Sequence, residues 1–169
     1  MHGAGLTIGG FYAHFSSKRA MDTEVLEAAL GSSPRFSEAL ADREGLDWLQ
    51  EVVQRYLSQK HRDDLDSGCA FPAVVSEVAR SDDSIRAAFD ELFAARVRRM
   101  AGHAPARDGV TARERALATF ALCIGGLTLA RALRGEPTSD EVLAACRKWA
   151  LPERRKAHVA GRKSSANPR

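Results

Sequence analysis

Fifteen residues near the start of the sequence, AGLTIGGFYAHFSSK at positions 4–18, gather the chemistry needed to hold a phosphate backbone. Gly5 can take the positive φ of a tight turn between two helices. Thr7 can cap the short segment that follows, and Phe11 and Phe15, one turn apart, point inward. Gly9 and Gly10 are small enough to let that segment approach base edges closely. Tyr12, His14 and Lys18 are then free to reach phosphate oxygens, and Lys18 stands near the start of the next helix, where the helix dipole also favours an anion.

Other reactive groups in the chain carry less. Cys69, Cys123 and Cys146 are an odd number without CxxC spacing, which fits a reducing cytoplasm. Cys69, just after a glycine at a helix start, is the one cysteine with sensor chemistry to weigh, though packing is the simpler role. Cys123 and Cys146 fall on apolar helix faces and read as packing residues. His2, His61, His103 and His158 lack a second ligand at metal spacing and read as exposed or loop residues, so no metal and no cofactor is expected. The acid pairs Asp63-Asp64 and Asp82-Asp83 suit solubility and capping. With no nucleophile and base together and no phosphate loop, an enzyme is not expected.

The elements that must position these groups are helical. The chain of 169 residues is 44% hydrophobic and only 7% aromatic, and no alternating strand pattern occurs. Apolar periodicity and caps predict helices over 17–30, 46–57, 71–79, 81–102, 111–134 and 139–150. Residues 60–68 read as a polar connection. Thr111 with Glu114, and Thr138 with Glu141, have capping-box spacing. Gly135 and Pro137 stop the long helix. Its charge-free run, 116–130, is too short to span a membrane and reads as a buried helix, in which Gly125-Gly126 predicts close approach of a partner helix. The net charge of +3 has a local origin. Residues 152–169 hold six Lys/Arg against the single acid Glu153, so the rest is mildly acidic and the tail is expected to be solvated and disordered.

Thr7, Gly9, Phe11, Tyr12, His14, Phe15, Ser17 and Lys18 match, in order, the recognition-helix pattern of the TetR family of bacterial repressors, which this sequence resembles. The resemblance implies that Thr7, Ile8, Gly9 and Gly10 meet the DNA and that Tyr12, His14 and Lys18 contact its sugar-phosphate backbone. The stretches GCAFP at 68–72, SEVAR at 76–80 and IRAAF at 85–89 are similar to helices midway through the family. The last two predicted helices look like those that pair across a two-fold axis as a four-helix bundle. In the family, Trp48, Tyr56, Phe71, Phe89, Phe93 and Phe120 lie on helices that surround an effector pocket. Core packing explains each of them singly, and as a set some are expected to line a cavity.

The expected architecture is therefore all-α and TetR-like. Residues 1–31 form a partial helix-turn-helix head, 32–152 an effector-binding and dimerisation body, and 153–169 a basic tail. In the family a full helix and the first half of the helix-turn-helix precede Thr7, so the chain reads as N-terminally truncated, starting at the end of the second helix of the head. The resemblance implies a cytoplasmic homodimer, paired through 111–134 and 139–150, that binds a near-palindromic operator and a small-molecule effector, with no membrane partner. The alternative is a ligand-binding or heterodimerising module that has lost DNA binding.

Overall fold

The structure, a computed structural model, describes residues 14–31, 44–65, 69–104, 106 and 109–151. Among them are seven helices: α1 Lys18–Gly31, α2 Gly45–Tyr56, α3 Gln59–Asp63, α4 Phe71–Val78, α5 Asp83–His103, α6 Ala112–Ala132 and α7 Pro137–Ala150. The basic tail from 152 onward lies outside the described residues.

Caps explain most of the helix starts. The Ser17 hydroxyl accepts the Ala20 N–H at 3.0 Å and opens α1. Asp82 accepts both the Ser84 and Ile85 N–H groups and fixes α5. Thr111 and Glu114 form the expected reciprocal box, each side chain satisfying the other's backbone N–H. The box expected at Thr138 and Glu141 does not form. Pro137, read from sequence as a stop, instead occupies the first turn of α7, with Glu136 at the cap position. Its ring fixes φ at a helical value and it lacks only an N–H that would have no helical partner there. Gly135, at φ +96, makes the turn that separates the two helices.

The region read as a polar connection contains α3. Its apolar signal is absent because only His61 is buried, and its start is set by Ser58, whose hydroxyl accepts the His61 N–H at 3.1 Å.

Helices α6 and α7 form an antiparallel hairpin joined by a short turn, and α2 and α5 pack across it. Leu49, Val53 and Leu57 on the α2 side meet Val97 and Met100 of α5, Cys123 and Ala130 of α6 and Leu143 of α7 in one core. A smaller core joins Leu26 of α1 to Val78 of α4 and Ile85 of α5. The first helix is thus tied to the body through α4 and α5. Ser139, fully buried, donates to the Ala130 carbonyl at 2.8 Å and accepts from Arg62 at 2.9 Å, so its polarity is satisfied inside the core.

The two adjacent glycines of α6 have different reasons. A Cβ at Gly126 would lie 2.7 Å from Cys146 Sγ and 3.1 Å from Leu57, whereas one at Gly125 meets nothing within 4 Å. The partner helix expected at this pair is α7 of the same chain for Gly126 only.

The expectation of a wholly buried apolar helix needs correction. At 21 residues α6 is long and apolar enough to cross a bilayer by length and composition, yet only a third of its most apolar window is buried. The 18-residue window reaches beyond the charge-free run and takes in its flanking arginines, and the side bearing Leu117, Ala121, Gly125 and Leu129 is exposed.

Gly126→Ala is expected to lower stability by about 1–3 kcal/mol despite alanine's better helix propensity, because Cys146 and Leu57 must move to admit the methyl group. Chemical denaturation of the purified chain measures this. An unchanged or raised midpoint would show that the α6–α7 spacing does not depend on that hydrogen.

Candidate functional site

Of the residues assigned to DNA, Thr7, Ile8, Gly9, Gly10 and Tyr12 lie outside the described residues. His14 is exposed, and Lys18 opens α1 four residues later, in the stretch capped by Ser17. Phe15 between them is half-buried. The exposed His14 and the position of Lys18 at a helix N-terminus are compatible with phosphate contact.

The structure brings together four of the six residues assigned to the effector pocket. Phe71 meets Phe89, Phe93 and Phe120 at ring-centroid distances of 6.0, 6.2 and 6.4 Å. Phe89 stacks on Phe93 at 5.8 Å, and Phe93 meets Phe120 edge-on at 5.2 Å. These separations suit offset and edge-to-face aromatic contacts. Phe71 is buried, but Phe89, Phe93 and Phe120 each keep accessible surface. The four rings thus form one cluster whose outer members are partly accessible.

Trp48 does not join them. It is buried in the main core and stacks on His103 at 4.2 Å. His103, read as a loop residue, is the last residue of α5. Tyr56 meets His61 edge-on at 4.8 Å, and its hydroxyl donates to Cys69 Sγ at 3.6 Å. Burial, and then the Cys69 thiol beside it, hold the Tyr56 phenol above its ordinary pKa, so it stays a hydrogen-bond donor.

Two residues that sequence reasoning left aside organise these contacts. His61, expected on the surface, is 6% exposed. Its Nδ1 lies 2.7 Å from the Tyr56 carbonyl, which can only accept, so the proton is on Nδ1. Nε2 is then the acceptor for the Cys69 N–H at 3.2 Å. Arg131, near the end of α6, donates to the Cys69, His61 and Asp64 carbonyls at 3.4, 3.2 and 3.3 Å. Its Nε is buried with no acceptor among the described residues. The guanidinium and the imidazole together hold the connection from α3 to α4, and with it Cys69. Neither was legible as such: a lone histidine in a polar stretch and an arginine bounding an apolar run carry no spacing signal.

The cysteines divide by environment. Burial, and then the neighbouring Cys146, push the Cys123 thiol up to about 12, and burial also raises Cys146. Cys69 is half-buried between Tyr56 and Arg131. Among the described residues no group of His, Cys, Asp and Glu could hold a metal ion.

The second surface of interest is the outer side of α6 and α7. Leu117, Ala118, Ala121, Gly125, Thr128, Leu129 and Ala132 recur every three or four residues on the exposed side of α6. Trp149 of α7 is 79% exposed and Leu129 55%. Contiguous apolar exposure of this kind marks an interaction surface.

No protein-family model matches the chain, and no curated protein does. Among solved structures, one titled as the reduced form of E. coli NemR is similar, at 22% sequence identity and a TM-score of 0.67, over 87% of this chain and 81% of that one. The chain shares the fold of that structure, and the described residues are all-α, as expected from the sequence.

Two outcomes are expected. At pH 8 a thiol reagent should modify Cys69 first and reach Cys123 only on unfolding, because the raised Cys123 pKa leaves almost no thiolate there; mass mapping of the labelled peptides reads the order. Arg131→Met should lower stability by about 1–3 kcal/mol by removing the donors to three carbonyls, and should speed amide exchange in the α3–α4 connection. Unchanged exchange there would remove Arg131 from the role given to it.

Proposed function

We propose that this chain is a cytoplasmic transcriptional regulator of the TetR type, most simply a repressor. Two copies pair through α6 and α7, their head segments meet a near-palindromic operator, and a small molecule held among the phenylalanines changes the affinity for DNA. The observation that carries this reading is the eight-residue pattern from Thr7 to Lys18, followed directly by a helix, α1, that Leu26 locks onto α4 and α5.

Pairing follows from the exposed side of α6. A bilayer would demand apolar residues all round, but the inner side of α6 is committed to α7 and, through Arg131, to three backbone carbonyls. A second copy covers the outer side alone. The small residues Ala118, Ala121, Gly125 and Ala132 let two such helices approach, with Leu129 and Trp149 filling the flanks. A dimer of this kind sets two heads about one DNA turn apart.

Effector action follows from connectivity. Phe89 belongs to the aromatic group and also packs against the small core of Leu26, Val78 and Ile85. A ligand that displaces Phe71 or Phe89 therefore bears directly on the seat of α1. If it fits best at a head spacing different from that of the operator, it draws the population away from DNA.

DNA binding is tested by fluorescence anisotropy with the DNA flanking the gene. Affinity should fall steeply with salt, and Lys18→Ala should flatten the salt slope by about one phosphate contact. No binding at low salt by this chain, with binding by one extended upstream of Met1, would make this form a ligand-binding module instead. Pairing is tested by sedimentation: Leu129→Glu should convert a dimer to a folded monomer, and an unchanged mass would exclude this face.

A further inference from the structure

Helix α7 carries four charged residues, and only two of them are engaged within the chain. Asp140 accepts from Arg62 at 2.7 Å and from Gln59 at 2.8 Å, and Arg147 donates to the Leu57 carbonyl. One residue after each of these, Glu141 and Lys148 are exposed, and neither makes an ion pair or a side-chain hydrogen bond with another described residue. The helix offers them no partner of its own. The positions three and four residues away from each hold alanine, threonine, proline or leucine, none of them charged. Seven residues also set Glu141 and Lys148 about 10.5 Å apart along the axis, too far to meet each other. The helix dipole favours an acid early and a base late, but it does not require the two on one side.

They are on one side. Glu141, Ala144, Ala145 and Lys148 stand at i, i+3, i+4 and i+7, and all four are exposed, forming a single stripe down the outer face of α7. The stripe reads acid, small, small, base, and its two charges lie equally far from the midpoint between the alanines. A two-fold axis through that midpoint lays α7 antiparallel on its own copy. Glu141 then meets the partner's Lys148, Lys148 meets the partner's Glu141, and the alanines admit close approach. Parallel pairing would oppose like charges instead.

Helix α6 is consistent with this register. Gly126 packs on Cys146 across the hairpin, so the exposed Thr128 and Leu129 stand level with the middle of the stripe. No charged residue occurs between 116 and 130, so that stretch of a second copy's α6 has nothing to offer Glu141 or Lys148. The answering charges are on α7 alone.

We propose that α7 is a self-recognition element: in the dimer it lies antiparallel to the partner's α7, with a Glu141–Lys148 contact on each side of the axis. This rests on the reading that two copies pair through α6 and α7. The order of charges selects a second copy of this chain and disfavours a helix on which that order is changed.

Sedimentation equilibrium of the full chain at low salt tests the register. Glu141→Lys sets lysine against lysine at both contacts and should weaken pairing at least about tenfold, as two exposed pairs turned from attractive to repulsive allow. Lys148→Glu should do the same. Both changes in one chain exchange the signs and should recover the original affinity. Mixed together, the two single variants should form a heterodimer tighter than either homodimer, and about 1 M salt should narrow the difference. Circular dichroism checks that each variant is folded. A dimer broken by Leu129→Glu but indifferent to both charge reversals overturns this register and leaves pairing through α6 and α7 standing. Weakening by the single changes without recovery in the double variant or the mixture also overturns it. A chain that is monomeric before any substitution overturns both.

Discussion

The approach of α6 to α7 at Gly126 sets the spacing on which the helical body depends. With no side chain there, Cys146 and Leu57 fill the space that a Cβ would take, and α2 is drawn onto the same line through Leu57. That closeness lets Cys123, Leu143 and Val97 meet in a single core, and it leaves the opposite side of α6 exposed among the described residues. An apolar exposed face and a tightly packed inner face are two results of one geometry. The proposed second copy covers the first because the second is already filled.

Around this hairpin the polar interactions do a different task. Ser139 and Arg62 tie the start of α7 to α3, and Asp140 receives both Arg62 at 2.7 Å and Gln59 at 2.8 Å. His61 and Arg131 then fix the backbone between α3 and α4, which places Cys69 and Phe71. Exposed ion pairs of this sort contribute little to stability on their own. The guanidinium of Arg131, bonded to three carbonyls, holds a segment whose one large apolar residue, Leu65, is exposed. The aromatic group is therefore built from rings contributed by α4, α5 and α6, and His61 and Arg131 hold the backbone that leads into α4.

The small core of Leu26, Val78 and Ile85 completes the chain of contacts. It is the only buried apolar seat of α1 among the described residues, and Phe89 of the aromatic group packs against it. A change in how the rings pack therefore bears on the seat of α1 through Phe89. That coupling requires α4 and α5 to move as rigid pieces, which Asp82 at the start of α5 and Pro72 in the first turn of α4 both favour.

By itself the sequence determined the all-α class, the limits of α1, α5 and α6, and the cap at Thr111, because each follows from local hydrogen bonding and from a period of 3.6. It also determined that Phe71, Phe89, Phe93 and Phe120 face inward, since they stand at apolar positions of their helices. Tertiary structure alone decided that those four rings meet while Trp48 turns to His103, because that depends on which helices cross. It decided that Gly126 packs and Gly125 does not, since 100° of helix rotation separates neighbours whose sequence context is the same. It moved Pro137 from the end of one helix to the start of the next. Finally it gave His61 and Arg131 their roles: a buried imidazole and guanidinium are defined by the carbonyls that surround them, and those carbonyls come from backbone that carries no side-chain signal.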